Sequence, residues 1–214
     1  VEVFAEFAHG LLKIEKHTHL WVIAWLSEAN REPLQVTPRG VEDQGPGGLH
    51  GVFAVRSPSR PNPLGLTVAR IEAVKGRVIE VDRLDFIEGT PVVDLKPYFA
   101  TRDMIFCARS EQVGRAANVE AVRESMMLQA LQFSGEWSAD LEAAVQMVTQ
   151  FRSEVLAYAD PPAWRVSAPL SRPKLIDALM GMTRVSLGRG TLVLHAAEKV
   201  ILEAGGRRAE YPVQ

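Results

Sequence analysis

The chain has 214 residues, 47% of them hydrophobic, with 24 lysines and arginines against 26 aspartates and glutamates and one cysteine. That length buries one large core or two small ones, and the composition excludes a disordered chain, while the lone Cys107 excludes an internal disulfide or a cysteine-based zinc site. The longest apolar run, Leu20 to Leu26, falls far short of the ~20 residues of a membrane span, so a soluble, cytoplasmic protein with no membrane partner is expected.

In chain order, Val1 to Phe4 and His19 to Trp25 carry enough β-branched and aromatic residues to predict strands, with Phe7 to Leu12 as a short helical or irregular link. The first residue is Val rather than Met, so further residues are expected ahead of it. Asn30 to Gly48 is polar, rich in Gly and Pro, and predicts a loop. Gly51 to Val55, Leu64 to Val74, Arg77 to Leu84 and Thr90 to Lys96 predict four more strands, with a hairpin turn at Lys75-Gly76. Many short strands without helices between them predict an antiparallel β-barrel or sandwich and exclude a Rossmann unit.

After Tyr98 the period changes. Val113, Ala117, Val119, Val122, Met126 and Leu131 recur at near-helical spacing, as do Trp137, Leu141, Val145, Val148, Phe151 and Val155 beyond the Ser134-Gly135 break. Arg172-Pro173 opens a third, short helix through Met180. Thr191 to His195 and Lys199 to Glu203 predict two closing strands, and Gly205-Gly206 a turn towards Tyr211. The predicted fold class is therefore mixed: an N-terminal antiparallel β-barrel domain, residues 1–108, and a smaller α+β appendage, residues 109–214.

Charge divides the same way. Residues 1 to 110 are balanced, residues 111 to 160 carry three arginines against eight acids, and residues 161 to 197 hold Arg165, Arg172, Lys174, Arg184 and Arg189 against Asp177 alone. The last block is either an ordinary patch of surface or a phosphate-contacting face.

Two stretches could carry chemistry. Arg56 to Gly65 packs three prolines and two arginines into ten residues; the prolines restrict the backbone before any ligand arrives, and the arginines offer forked donors for carboxylate or phosphate. Leu84 to Tyr98 sets Asp85, Glu88 and Asp94 among apolar side chains, with Glu88-Gly89-Thr90-Pro91 as a turn and Asp94 and Lys96 on one strand face. Such an edge suits a ribose diol or an adenine amino group. Read without a ligand, both stretches are rigid surface loops with solvated charges. His17 and His19 share a strand spacing but lack a third ligand, so no metal is assigned.

These stretches resemble the TrmO/TsaA family, also called YaeB, of S-adenosylmethionine-dependent tRNA methyltransferases. The resemblance lies in His50 to Ala54, RSPSRPNPLGLTV from Arg56 to Val68 and LD..EGTPVVDLKPY from Leu84 to Tyr98, with weaker matches at His19 to Val22 and Pro38 to Gly40. It implies a small β-barrel enzyme that holds its cofactor near a homodimer interface and N6-methylates threonylcarbamoyladenosine beside the anticodon of tRNA. It implies Leu26, Ser27, Arg56, Leu66, Leu84, Asp85, Phe86 and Ile87 as cofactor contacts, and Arg60, Asn62, Asp94 and Lys96 as substrate contacts, with no catalytic base identified. Leu26-Ser27, Val55 and Glu88 depart from the family's usual residues. Two other readings stand beside this one: methylation of a small molecule, and a non-catalytic cofactor-sensing or RNA-binding module. Lys174 to Thr183 and Leu187 to Leu192 resemble the end of an FmdE-like domain, with Lys174 where that domain has a cysteine, which implies a degenerate accessory module.

Overall fold

A computed structural model describes residues 1–108, 110–161 and 163–213. By their contacts these form two compact units, Val1–Pro38 with Gln44–Ile105, and Arg39–Asp43 with Phe106 onwards.

The first unit is built on seven-residue strand β1, His19–Trp25, where alternation of apolar residues buries Leu20, Val22 and Ala24 and leaves Trp21, Ile23 and Trp25 on the other face. Short β2, Gln35–Val36, and β3, His50–Gly51, form a separate two-stranded ribbon. β4, Leu64–Lys75, pairs antiparallel with β1 and turns at Gly76, whose φ of 61° suits glycine, into β5, Val78–Val81. β6, Val92–Pro97, pairs with the other edge of β1, giving the order β5-β4-β1-β6. A single turn of helix, α1, Ala100–Asp103, follows.

Three expectations are corrected here. Among the described residues the four-stranded sheet is open at β5 and β6, not closed into a barrel, because the chain between β1 and β4 runs as loops and one short ribbon. Residues 52 to 55 turn instead of extending: Ala54 N donates to Gly51 O, and the Arg60 guanidinium takes the carbonyls of Val52 and Val55 that a strand neighbour would need. Val1 to Phe4 makes an isolated bridge, Glu2 to Val78, at the β5 edge, with Val3 N donating to Arg77 O, and forms no full strand.

In the second unit, α2, Val119–Ser134, starts where Asn118 accepts from Ala121 N and stops at Gly135 in the left-handed region. Ser138 caps α3, Ala139–Gln150, in the same way, and a π-turn, Phe151–Val155, extends it. β7, Trp164–Pro169, lies outside the predicted elements, although Trp164, Val166 and Ala168 alternate inward. α4, Pro173–Thr183, crosses from β7 to the parallel strand β8, Leu192–His195. β9, Lys199–Ala204, lies on the other side of β7 and turns into β10, Arg207–Pro212, an edge strand whose charges and proline discourage further pairing. One core joins these layers, with Leu141, Val148, Phe151, Leu175, Leu179 and Leu202 fully buried. Gly181 of α4 faces α2 so closely that a Cβ there would lie 2.6 Å from Phe133 Cβ. No helix among the described residues is long and apolar enough to cross a membrane.

Candidate functional site

The motif stretches meet at the end of β1. Trp25 N donates to Pro91 O at 2.8 Å and Leu26 N donates to Pro63 O at 2.9 Å, so the last amide of β1 and the one after it are each taken by a proline from a different motif. A proline lacks its own amide donor, but its carbonyl is free to accept. The Pro-rich loop is further tied by Arg31, whose Nε donates to Pro61 O at 3.2 Å while its guanidinium lies 5.5 Å from the Trp25 ring centroid. Nothing in the spacing of Arg31 signals this tie, because its partners lie at separate places along the chain.

Beside these bonds, Gly65 lies against Phe86 and Leu26. A Cβ on Gly65 would stand 2.5 Å from Phe86 Cε1 and 3.0 Å from Leu26 Cδ2. Leu26 and Phe86 therefore converge, with glycine making the room. Leu84, Asp85 and Ile87 flank the half-buried Phe86 and are exposed, Ile87 by 75%. Their turn is closed by Thr90, whose N and Oγ1 both donate to Ile87 O, and by Gly89 at a φ of 81°. Ser27 is exposed just beyond Leu26.

The two loop arginines differ. Arg56 is exposed and has no ion-pair partner among the described residues. Arg60 turns inward, donating to the Val52 and Val55 carbonyls, and its Nε is buried without a partner. It braces the loop that presents Arg56. Asn62 is exposed, and its carbonyl accepts from Leu64 N at 2.8 Å.

Leu66 and the β6 pair occupy the other face of the sheet. Ile23 is directly opposite Leu66 on one side and Asp94 on the other, and Trp21 is opposite Val68 and Lys96. Leu66, 45% exposed, thus points away from Gly65's face, as the two-residue period requires. Lys96 Nζ lies 2.7 Å from Asp94 Oδ2, and this hydrogen bond holds the Asp94 carboxyl below the ordinary value of 3.8 despite some opposing desolvation. A depressed carboxyl contributes stability above its unfolded pKa and loses it as the pH falls through the lower folded value. Lys96→Met is expected to raise the Asp94 pKa towards 3.8 in an NMR carboxyl titration, with little change in stability at neutral pH because the pair is exposed. An unmoved pKa in that variant would assign the shift to another cause.

The histidines are spent on packing: His17 meets Phe99 edge-on at 5.5 Å and His19 meets Tyr98 at 6.3 Å. No group of three metal-ligating side chains occurs among the described residues. A groove of about 560 Å³ in the second unit, lined by residues including Arg123, Glu142, Thr149 and Glu154, contains none of the motif residues, and Arg123 is already paired to Glu142 at 2.6 Å.

Residues 1–104 match the family model of the tRNA-methyltransferase O N-terminal domain. A probable S-adenosyl-L-methionine-binding protein of Archaeoglobus fulgidus is 41% identical over 149 residues, which cover 69% of this chain and 38% of that protein. A second protein of that organism, an S-adenosyl-L-methionine-binding protein, is 41% identical over 105 residues, 49% of this chain and 72% of that one. A human tRNA (adenine(37)-N6)-methyltransferase is 37% identical over 101 residues, 47% of this chain and 22% of its own length. The chain thus spans between about a fifth and three quarters of these relatives. With residues 1–104 matched by that model and a relative 41% identical over 72% of its own length, the chain belongs to the TrmO family.

Proposed function

We propose that the first unit binds S-adenosylmethionine at the end of β1 and directs its methyl group to N6 of threonylcarbamoyladenosine beside a tRNA anticodon. The observation that carries this reading is the convergence of Leu26, Gly65 and Phe86 where Pro91 and Pro63 accept the amides of Trp25 and Leu26 at the end of β1. The donor set suits the cofactor. Phe86, Leu84 and Ile87 offer apolar surface for an adenine ring, the exposed Asp85 carboxylate is an acceptor for ribose hydroxyls, and the unpaired Arg56 guanidinium fits an amino-acid carboxylate. Leu26 and Ser27 line the same end of β1. When bound, S-adenosylmethionine supplies an activated methyl group on a sulfonium. The residues around it would hold the acceptor nitrogen in position for a displacement in which the N–C bond forms as the S–C bond breaks, S-adenosylhomocysteine leaves and the N6 proton passes to water.

The far face of the sheet supports a second role. Leu64 and Leu66, 40% and 45% exposed, continue the apolar row of Trp21, Ile23 and Val68, and covering it by a second copy places Asp94, Lys96 and Leu66 at a homodimer interface. In this reading Arg60 acts on substrate only through the loop it braces, and Asn62 faces it directly. Residues 1–108 form the catalytic domain and residues 109–214 an FmdE-like accessory module.

Calorimetric titration tests the cofactor half. Wild type binds S-adenosylmethionine, and Arg56→Ala weakens binding about tenfold or more, the cost of one charge-assisted contact. No heat with wild type would sink the reading. For the substrate half, tRNA from cells lacking the gene is expected to lose methylated threonylcarbamoyladenosine by mass spectrometry; an unchanged level would reject tRNA in favour of another acceptor.

A further inference from the structure

The basic block of residues 161 to 197 is less basic in the fold than in the sequence. Arg172 pairs with Asp140 at 2.9 Å and Glu198 at 3.5 Å, and Lys174 pairs with Glu136 at 2.6 Å. Their charge is answered within the second unit. Arg184 and Arg189 are answered by no carboxylate among the described residues, and both are exposed. They are nonetheless held in place. Both guanidiniums lie over the Phe106 ring, 5.8 and 5.6 Å from its centroid, and Phe106 in turn leans on Phe133 at 5.7 Å. Arg189 also donates to the Arg184 carbonyl, and Arg184 ends α4 in the left-handed region at a φ of 59°.

We propose that Arg184, Arg189 and Phe106 form a docking point for the sugar-phosphate backbone of RNA. Two like charges gathered on one ring repel each other, and no carboxylate among the described residues offsets that repulsion. An anion that meets both relieves the repulsion. The ring spends its face on the arginines, so it pre-orders their forks and is not a stacking platform for bases. A nucleic-acid strand carries one negative charge per nucleotide, so a single backbone segment presents phosphates to both arginines. The exposed Leu187-Gly188 before Arg189 and Gly190 after it carry no acidic side chain to repel a polyanion. RNA rather than another polyanion is chosen on the strength of the methyltransferase reading above, and the proposal rests on that reading only for this choice.

The test is filter binding of unmodified tRNA to the full chain across a salt series, with wild type and an Arg184→Asn/Arg189→Ala variant; asparagine tolerates the left-handed position better than alanine. The expected result is a roughly tenfold weaker Kd at 0.1 M salt, with the slope of log affinity against log salt reduced by about 0.7 to 0.9 per arginine. S-adenosylmethionine titrates the variant as it does wild type. Arg189→Ala alone, between two glycines, gives half the slope change if the double variant folds poorly. A slope equal to wild type overturns the docking point while leaving the methyltransferase reading intact. Loss of slope in a protein whose wild type transfers no methyl to tRNA keeps the docking point and removes that reading. Wild-type binding to phosphatidylserine vesicles with none to tRNA overturns the RNA assignment.

Discussion

Gly65→Ala is expected to weaken S-adenosylmethionine binding about tenfold, some 1.4 kcal/mol, while lowering stability by only about 1 kcal/mol. The added methyl group would stand 2.5 Å from Phe86 Cε1, nearer than packed carbons approach, so one of the two must move. The backbone of β4 does not yield easily, since Ala24 pairs with Gly65 within a ladder from His19↔Arg70 to Trp25↔Leu64. Phe86 does, because its ring is the free end of a half-buried side chain on a turn. The ring therefore swings away from Leu26, and the proposed adenine surface goes with it. Stability changes little because no buried polar group is orphaned. Calorimetry and thermal unfolding separate the two effects. The double variant with Phe86→Leu checks the route: if the ring's displacement is the cause, Gly65→Ala adds nearly nothing to Phe86→Leu. Affinity unchanged by Gly65→Ala would remove Phe86 from the pocket.

The parts of the fold that could be read from the sequence are those with a short period. β1 is predicted at its observed limits because Leu20, Val22 and Ala24 alternate with larger, less buried residues, and the Ser134-Gly135 break falls at the left-handed end of α2. What depends on distant partners could not be read. Counting strands suggested closure, but closure needs a ladder between β5 and β6, and edge pairing has no signature in either strand. The Pro-rich stretch was recognisable as a rigid loop with two arginines. Which arginine turned inward depended on the Val52 and Val55 carbonyls, exposed to it only because residues 52 to 55 turn.

The site was legible in part for the same reason. Leu26 and Phe86 are 60 residues apart, and only the packing of both on Gly65 unites them. Leu66 belongs to the same motif, yet it follows Gly65 by one residue and so takes the opposite face. A composition count overstates the basic block, since Asp140, Glu136 and Glu198 come from other elements to pair two of its five basic residues.

Arg152→Ala is expected to destabilise the second unit by about 3 to 5 kcal/mol, the range for removing a buried, hydrogen-bonded side chain and leaving its partners unpaired. Arg152 is 4% exposed. Burial pushes its pKa below the ordinary value, opposed by Asp160, whose carboxylate lies 3.7 Å away. Its fork donates to Ala159 O at 3.1 Å and Tyr158 O at 3.5 Å, and its Nη1 lies 3.9 Å from Met126 Sδ. These bonds explain the backbone after the π-turn. Ala157 and Tyr158 both take positive φ, 47° and 66°, which costs a side-chain-bearing residue roughly 1 to 2 kcal/mol each. The conformation persists because it aims two carbonyls at one guanidinium. Arg152→Lys keeps the charge but has one ammonium where a planar fork meets two acceptors, so it is expected to recover less than half of the loss. Chemical unfolding of the two variants measures this, and hydrogen exchange at residues 156 to 160 locates it. Equal stability of Arg152→Ala and wild type would mean that the loop holds its strained form without the arginine. Because a guanidinium remains charged through the accessible range, the difference between wild type and Arg152→Ala is expected to stay constant from pH 6 to 9.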